Sequence, residues 1–186
     1  MSEHLLGTPW TFYYYERTME DWEKCIHEIA YVETIENFWA VYSRLKRPSQ
    51  LRNIQYHFFR NHFKAIWENE ENINGGVFSL NLSSNQIEVN LSWETLLLGL
   101  IGERINPDVN GAVIKGSTLN IWTRTSQDLA LRQKIAGQIF TVLQLPYKTK
   151  ICYLPNEKAK EKNILPTTYI FGADGAKLVP TNENQA

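Results

Sequence analysis

The sequence predicts an α+β protein in which three helices cover one face of a mostly antiparallel sheet. Segments with strand character run from residue 10 to residue 171, and three separated helical patterns interrupt them. In addition, Gly116-Ser117 stands between two apolar segments, which indicates a hairpin with a tight turn. Short connections of this kind favour antiparallel pairing over parallel pairing.

The predicted strands share an apolar or aromatic character and end at polar or glycine-containing segments. They cover residues 10–15, 77–82, 111–115, 118–122, 150–153 and 168–171. Residues 54–59 remain ambiguous between a strand and irregular packing.

Each predicted helix has an N-cap candidate and a periodic apolar stripe. The first follows Thr34 and ends before Pro48, the second starts at Ser92, and the third opens at residues 125–128. The buried stripes are predicted from helical spacing as Phe38, Val41, Tyr42 and Leu45; Trp93, Leu96, Leu97, Leu100 and Ile101; and Leu131, Ile135, Ile139 and Val142. Trp39 and Leu98 fall off these stripes, and Trp39 lies with Ile35 on a neighbouring helix face.

Composition limits the class of protein. The chain has 186 residues, 43% of them hydrophobic, which suffices for one buried core but little for a second. We therefore expect a flexible N-terminal arm over 1–9, a single domain over 10–179 and a loose tail over 180–186. The net charge of -1 argues against a broad nucleic-acid surface and for a small binding site.

The compartment is also predicted from sequence. Cys25 and Cys152 are far apart and form no paired-thiol motif, which favours a reducing environment. The N-terminal residues lack the pattern of a signal peptide, and no apolar stretch is long enough to span a bilayer. We expect a soluble domain in the cytosol or the nucleus.

The stretch Trp67-Glu68 is the strongest candidate for a binding site. It places an aromatic ring beside a carboxylate, just before an acidic and amide-rich loop that ends at Gly75-Gly76. A guanine base could stack on the indole and donate N1-H and N2-H2 to the carboxylate. If N7 carries a methyl group the base is a cation, and indole is the best partner for a cation. The alternative is a tryptophan buried at a strand end with a solvated acidic loop behind it.

Catalytic and metal sites are weakly supported. His4, His27, His57 and His62 lack partners at metal-ligand spacing, and His57 and His62 are better explained as loop or packing residues. Glu68, Glu70 and Glu71 suggest a metal-dependent phosphohydrolase only faintly, because no helical acidic box accompanies them. Trp22, Trp67 and Trp122 each fall at a loop or strand end, so they can either face a cleft or join the core.

Taken in order, these motifs resemble the mRNA cap-binding family of translation initiation factor 4E, from His4 to Tyr153. The resemblance is carried by His4-Leu5-Leu6, Trp10, residues 34–42, Trp67-Glu68-Asn69-Glu70, Gly75-Gly76, Trp93 to Leu97, Ile101-Gly102-Glu103, Gly111-Ala112-Val113, Ile121-Trp122 and Leu145-Pro146. Residues 93–103, with Thr11-Phe12 and Arg47-Pro48, are more similar to the second, 4E-homologous-protein class of the family.

The resemblance implies a curved antiparallel sheet, with three helices on its convex face and a cap-binding cleft on its concave face. It also implies that Trp67 and Trp22 sandwich the base, that Glu68 accepts its N-H donors, and that Trp122 touches the 7-methyl group. No cofactor and no catalytic residue is expected.

Phosphate binding departs from the family pattern. The hairpin between Gly111 and Trp122 is short, and Lys115 is the only basic residue left inside it. Val77 stands where the family carries a basic residue after Gly-Gly. The triphosphate is therefore expected to rest on Lys115 with Lys158, Lys160 or Lys162.

The resemblance also implies a partner surface on the convex side. Its residues are His4, Leu5, Ile35, Trp39 and Leu98, and we call this set the back surface. The implied partners are scaffold initiation factors of the 4G type or 4E-binding proteins, which dock a Tyr-x-x-x-x-Leu-hydrophobic helix. We expect a monomer that binds the 7-methylguanosine cap in translation. The alternative is an adaptor or translational repressor of the same fold with weak cap affinity.

Overall fold

The computed structural model describes residues 3–17, 21–82, 85–159, 161 and 165–172. The strands are β1 (Leu5–Glu16), β2 (Ile26–Thr34), β3 (Ile54–Arg60), β4 (Gly76–Asn81), β5 (Val109–Lys115), β6 (Thr118–Thr123), β7 (Lys150–Pro155) and β8 (Thr167–Ile170). The α-helices are α1 (Ile35–Tyr42), α2 (Gln86–Ile101) and α3 (Leu129–Val142). Short 3₁₀ helices cover Trp22–Cys25, Pro48–Gln50 and Asn156–Lys158.

All eight strands form one curved sheet in the order β2-β1-β3-β5-β6-β4-β7-β8. Every neighbouring pair is antiparallel. The predicted fold class is thus confirmed, and the ambiguous segment 54–59 is a strand.

Alternation along the strands separates the two faces of the sheet. Phe12, Phe58 and Phe78 point to one side, where they join buried residues of all three helices in the main core. Their strand neighbours point to the other side, where a smaller cluster includes Tyr13 and Phe59. All three helices therefore cover one face, and the opposite face is left for a cleft.

The first helix forms as its sequence predicts. The Thr34 side chain accepts a hydrogen bond from the Asn37 backbone N–H at 3.1 Å, which satisfies one unpaired donor of the first turn. Phe38 and Tyr42 are buried against the sheet. The helix ends at Tyr42, earlier than the predicted stop at Pro48, which instead opens a 3₁₀ turn.

The second helix starts earlier than predicted, whereas the start of the third agrees with the predicted opening at residues 125–128. α2 begins at Gln86, six positions before Ser92, because buried Val89 lies one turn before Trp93 and extends the apolar stripe towards the N-terminus. In α3 the cap is Asp128, whose carboxylate accepts from the Leu131 N–H at 2.9 Å.

Strand β1 also starts earlier than expected. It begins at Leu5, inside the segment 1–9 that was predicted to be a flexible arm, and Leu5 pairs with Thr34. The Ile35 N–H donates to the His4 carbonyl at 2.9 Å, which ties this segment to the start of α1. The predicted tail over 180–186 lies outside the described residues.

Candidate functional site

A cavity of about 220 Å³ opens on the concave face, away from the helices. We call it the cleft. Its lining combines aromatic, apolar and polar side chains: Trp22, Gln55, His57, Ala65, Val77, Val113, Lys115, Asn120 and Trp122. The fold therefore brings together three of the residues predicted for a ligand site, namely Trp22, Lys115 and Trp122.

Trp22 is held at the cleft by two contacts. Its indole N–H donates to the Ala65 carbonyl at 3.0 Å, and its ring lies 4.1 Å from the ring of Tyr15. The side chain remains 47% exposed. One part of the indole is thus anchored while the rest stays accessible to a flat ligand.

Trp67 and Glu68 lie on the loop between β3 and β4, two and three residues after Ala65, which accepts the Trp22 hydrogen bond. Both are exposed, and Trp67 retains 37% of its accessible surface. They do not line the 220 Å³ cavity itself. Both indoles are therefore tied to one loop, which carries Trp67 and holds Trp22 through the Ala65 carbonyl.

A network of asparagines fixes the loop that carries Trp67. The buried Asn72 side chain donates to the carbonyls of Lys64 and Ile66, at 2.8 and 2.9 Å. The Asn110 side chain donates to the Asn72 side chain at 3.0 Å, and the Asn156 side chain donates to the Asn72 backbone carbonyl at 2.8 Å. Amide groups from three separate segments thus set the shape of the loop.

Gly75 is required for the end of this loop to approach β6. A Cβ atom at this position would lie 1.8 Å from the Thr123 carbonyl oxygen. That separation is far below van der Waals contact, so any side chain would push the loop away from the sheet.

The floor of the cleft is a row of side chains in register across the strands. His57 of β3 pairs with Val113 of β5, and Val113 pairs with Asn120 of β6. Asn120 in turn pairs with Ser79 of β4 and accepts a hydrogen bond from its hydroxyl at 2.7 Å. The polar side chains of His57 and Asn120 therefore flank the apolar side chain of Val113.

His57 is the unusual member of this floor. It is fully buried, and neither of its ring nitrogens has a hydrogen-bond partner. Burial lowers the pKa of its imidazole to about 3, so the ring is neutral at physiological pH. An unpaired buried polar group costs about 1–3 kcal/mol of stability.

The sequence predicts a loop or packing role for His57 and gives no role to Gln55 or Asn120. The signal was present as polar residues at alternate positions of apolar strands, Gln55 and His57 in one and Asn120 in another. It could be interpreted only once residues 54–59 were known to form a strand.

The predicted cations are only partly placed. Lys115 is exposed at the end of β5, beside the predicted hairpin turn, where Gly116 adopts a φ of +58°. Lys158 is exposed at the end of the 3₁₀ helix Asn156–Lys158 and does not line the cavity. Lys160 and Lys162 lie outside the described residues.

On the back surface, the predicted apolar residues are exposed. Trp39 is 41% exposed, and Ile35 and Leu98 are exposed to a similar degree. The Trp39 ring makes edge contacts with Phe38 at 5.3 Å and Tyr42 at 6.0 Å. The prediction that these residues lie off the buried stripes is confirmed.

The N-terminal part of the back surface is attached to α1. The His4 Nδ1 atom lies 2.6 Å from the Glu36 carboxylate, and the His4 backbone N–H donates to the same group at 3.0 Å. These hydrogen bonds lower the pKa of Glu36 to about 2. Leu5 is exposed beside them.

A second, larger depression lies near the ends of β3 and β6 and does not include the predicted ligand residues. It has a volume of about 880 Å³ and is lined by both arginines and acids, including Arg60, Arg124, Glu70, Glu71 and Asp108. Among the described residues, no group of three His, Cys, Asp or Glu side chains is arranged to hold a metal ion. Within the same part of the chain, no helix has the length and apolar character needed to cross a membrane.

The fold and the cleft define a class of ligand-binding proteins in which a helix-backed curved sheet presents indole rings on its concave face. A comparison with models of protein families then identifies the family to which the chain belongs. The chain belongs to the family described as "Eukaryotic initiation factor 4E", whose model matches residues 5–168.

Individual relatives agree with this family. The chain is 30% identical to eukaryotic translation initiation factor 4E of Saccharomyces cerevisiae, over 89% of this chain and 82% of that protein. It is 32% identical to eukaryotic translation initiation factor 4E1 of Drosophila melanogaster, over 82% of this chain and 64% of that protein.

Solved structures give the same result. The eIF4E-3 of Ascaris suum, in complex with an m2,2,7G cap, superposes with a TM-score of 0.81 and 26% identity, over 89% of this chain and 97% of that chain. A Schistosome eIF4E complexed with m7GpppG and 4E-BP superposes with a TM-score of 0.78 and 25% identity, over 88% of this chain and 96% of that one.

Proposed function

We propose that this protein binds the 7-methylguanosine 5′ cap of mRNA and acts in translation initiation or its regulation. Family membership over most of the chain supports the proposal. The observation that carries it is the cleft, in which Trp22, Trp122 and Lys115 meet, with Trp67 and Glu68 exposed on the loop that follows the lining residue Ala65. Related proteins have been solved with cap ligands.

In this proposal the base stacks between Trp22 and Trp67. The Glu68 carboxylate accepts hydrogen bonds from N1-H and N2-H2, and these are strong because the methylated base is a cation. Trp122 contacts the 7-methyl group. Lys115 binds the phosphates, together with one or more of Lys158, Lys160 and Lys162.

The back surface serves a protein partner in this proposal. The partner is a scaffold initiation factor of the 4G type or a 4E-binding protein that carries a Tyr-x-x-x-x-Leu-hydrophobic helix. Exposed Ile35, Trp39 and Leu98 supply the apolar contact that such a helix needs. A Schistosome relative has been solved together with 4E-BP, which supports this type of partner.

The role is one of binding rather than catalysis, and we expect a monomer that acts in the cytoplasm, with the nucleus as a second location. Size-exclusion chromatography with light scattering tests whether the protein is a monomer, and fractionation of cells tests its location.

One observation favours a second function, that of an adaptor or repressor with weak cap affinity. Val77 lines the cleft at the position where the family carries a basic residue. Within the part of the chain that the structure describes, Lys115 is the only cation that lines the cavity. Weak phosphate binding would leave the partner surface as the main functional site.

Retention on immobilised 7-methyl-GTP separates the two functions. We expect the chain to be retained and to be released by free 7-methyl-GTP but not by GTP. Trp67→Ala should abolish retention, whereas Trp39→Ala, on the opposite face, should not. A folded chain that is not retained, or that GTP releases equally well, would favour the adaptor function.

A further inference from the structure

We propose that the larger depression near the ends of β3 and β6 binds a peptide segment of a protein partner, whose carboxylate side chain is held by Arg60 and Arg124. We call this depression, of about 880 Å³, the arginine site. Among the described residues, it shares no lining side chain with the cleft or with the back surface. The inference therefore goes beyond cap binding and does not rest on it.

Both arginines are anchored to consecutive residues of β5. The Arg60 Nε–H donates to the Val109 carbonyl at 2.8 Å, and two nitrogens of Arg124 lie 3.4 Å from the Asn110 side-chain oxygen. Because β3 and β6 flank β5, the two side chains approach that strand from opposite sides. Burial, and then the charge of Arg124, lower the pKa of Arg60. Two cations thus converge on one edge of the sheet.

Arg60 is a buried cation without a counter-ion. It is only 5% exposed, and its guanidinium carbon lies 4.6 Å from the centre of the Trp10 ring. In the described part of the chain, neither Arg60 nor Arg124 forms an ion pair with a carboxylate. The two Nη atoms of Arg60 have no hydrogen-bond partner there either, and they are not fully buried. Since Arg60 lines the arginine site, an anion that enters the site reaches these atoms and relieves the cost of an unpaired buried charge.

The neighbouring acids favour a carboxylate over a phosphate. Glu70, Glu71 and Asp108 line the same depression. The Asp108 carboxylate is already engaged, because it accepts from the Thr125 N–H and hydroxyl at 3.1 and 2.8 Å. A dianionic phosphate would be repelled by Glu70 and Glu71, whereas a carboxylate carries one charge and matches a guanidinium with two parallel hydrogen bonds. A basic side chain beside that carboxylate would in turn be attracted to the two glutamates.

The lining favours a peptide over a small organic molecule. Sites for small molecules are lined mostly by apolar and aromatic side chains. Here eight of the eleven lining residues are polar or charged, and Phe63, Pro107 and Leu131 supply the apolar part. Interfaces between proteins use arrangements of opposite charges for specificity. A segment with one acidic and one basic side chain is complementary to the arginines and to the glutamates at once.

Peptide titrations followed by NMR test the inference. The probe is acetyl-Gly-Lys-Gly-Glu-Gly-amide, and its twin has Gln in place of Glu. Each is added to the full chain while the arginine ¹⁵Nε–H resonances are recorded. We expect the Arg60 and Arg124 resonances to shift with the Glu peptide. The Gln twin should bind about tenfold more weakly or worse, because it loses the hydrogen bonds between two charged groups.

Arg124→Gln is the decisive variant, because Arg124 is exposed and its truncation does not disturb the core. It should weaken the Glu peptide by about the same factor. Arg60→Gln should do so too, but it also removes the contact with Trp10 and therefore needs a check of folding. Arg44→Gln is the matched control, since Arg44 is an exposed arginine that follows α1 and donates to the Ala40 carbonyl. It should bind the Glu peptide as the unsubstituted chain does.

Each other outcome overturns a stated part of the inference. Equal binding of the two peptides, or full binding of the Glu peptide by folded Arg124→Gln, would remove the arginines from the site. Larger shifts with inorganic phosphate than with the Glu peptide would overturn the choice of a carboxylate. Sodium acetate that binds as tightly as the peptide would overturn the choice of a peptide. Retention on immobilised 7-methyl-GTP should be the same for all these variants, so a failure of cap binding remains distinguishable.

Discussion

Replacing Trp39 by alanine measures how much the back surface contributes to partner binding. A tryptophan side chain has about 250 Å² of surface to bury, so 41% exposure leaves roughly 100 Å² uncovered. Covering that area with a partner helix at about 25 cal/mol per Å² yields about 2.5 kcal/mol. We therefore expect Trp39→Ala to weaken a Tyr-x-x-x-x-Leu peptide by roughly 70-fold.

The same structure sets the stability cost of this substitution. The buried part of Trp39 makes edge contacts with Phe38 and Tyr42, each worth about 0.5–1.5 kcal/mol. The expected loss is therefore about 2 kcal/mol, which is more than a freely exposed residue would cost. Trp93→Ala, which truncates a fully buried tryptophan, should cost about 3–5 kcal/mol.

Peptide titration by calorimetry and a thermal melt are the two measurements. Leu91→Ala is the control. Leu91 lies on α2 and, like Trp39, is an exposed apolar residue, but it is not part of the back surface. It should leave peptide affinity unchanged. Full peptide binding by folded Trp39→Ala would refute the reasoning, and so would a loss of stability as large as that of Trp93→Ala.

Four further predictions concern the cleft. Trp67→Ala should lower cap affinity by about 1–3 kcal/mol or more in calorimetry, because one stacking face is lost; unchanged affinity would remove Trp67 from the site. Glu68→Gln should weaken cap binding more than Glu70→Gln does, and equal losses would indicate general electrostatics. Lys115→Ala should flatten the decrease of cap affinity with rising salt, since it removes a phosphate contact, and an unaltered slope would exclude that contact. Because the pKa of His57 is lowered to about 3 in the folded state and is near 6.5 when unfolded, only the unfolded chain takes up the proton between these values. Stability measured by urea unfolding should thus fall as pH drops through that window, by up to about 1.4 kcal/mol per pH unit, and His57→Phe should reduce this dependence.

The features that the sequence predicts well are those with local causes. The N-cap of α1 is one side chain bonded three residues along the chain, from Thr34 to Asn37. The β5–β6 hairpin depends on a two-residue turn with one glycine in the left-handed region. Exposure of Trp39 follows from helical spacing alone.

The features that it predicts poorly depend on contacts between distant segments. Trp22 is positioned by a hydrogen bond to Ala65, 43 residues away, and by the ring of Tyr15. The start of α2 depends on tertiary burial of Val89, which outweighs the capping preference of Ser92. His57 could not be assigned to the cleft because its strand face is defined by pairing with β1 and β5.

Strand β3 has a consequence for communication between the two sides of the molecule. His57 faces the cleft, while its neighbour Phe58 packs on Phe38, whose ring touches that of Trp39. One route between the two surfaces thus consists of one strand and two aromatic contacts. Any allosteric coupling along it must be reciprocal: a factor by which a cleft ligand changes partner affinity is the factor by which the partner changes ligand affinity.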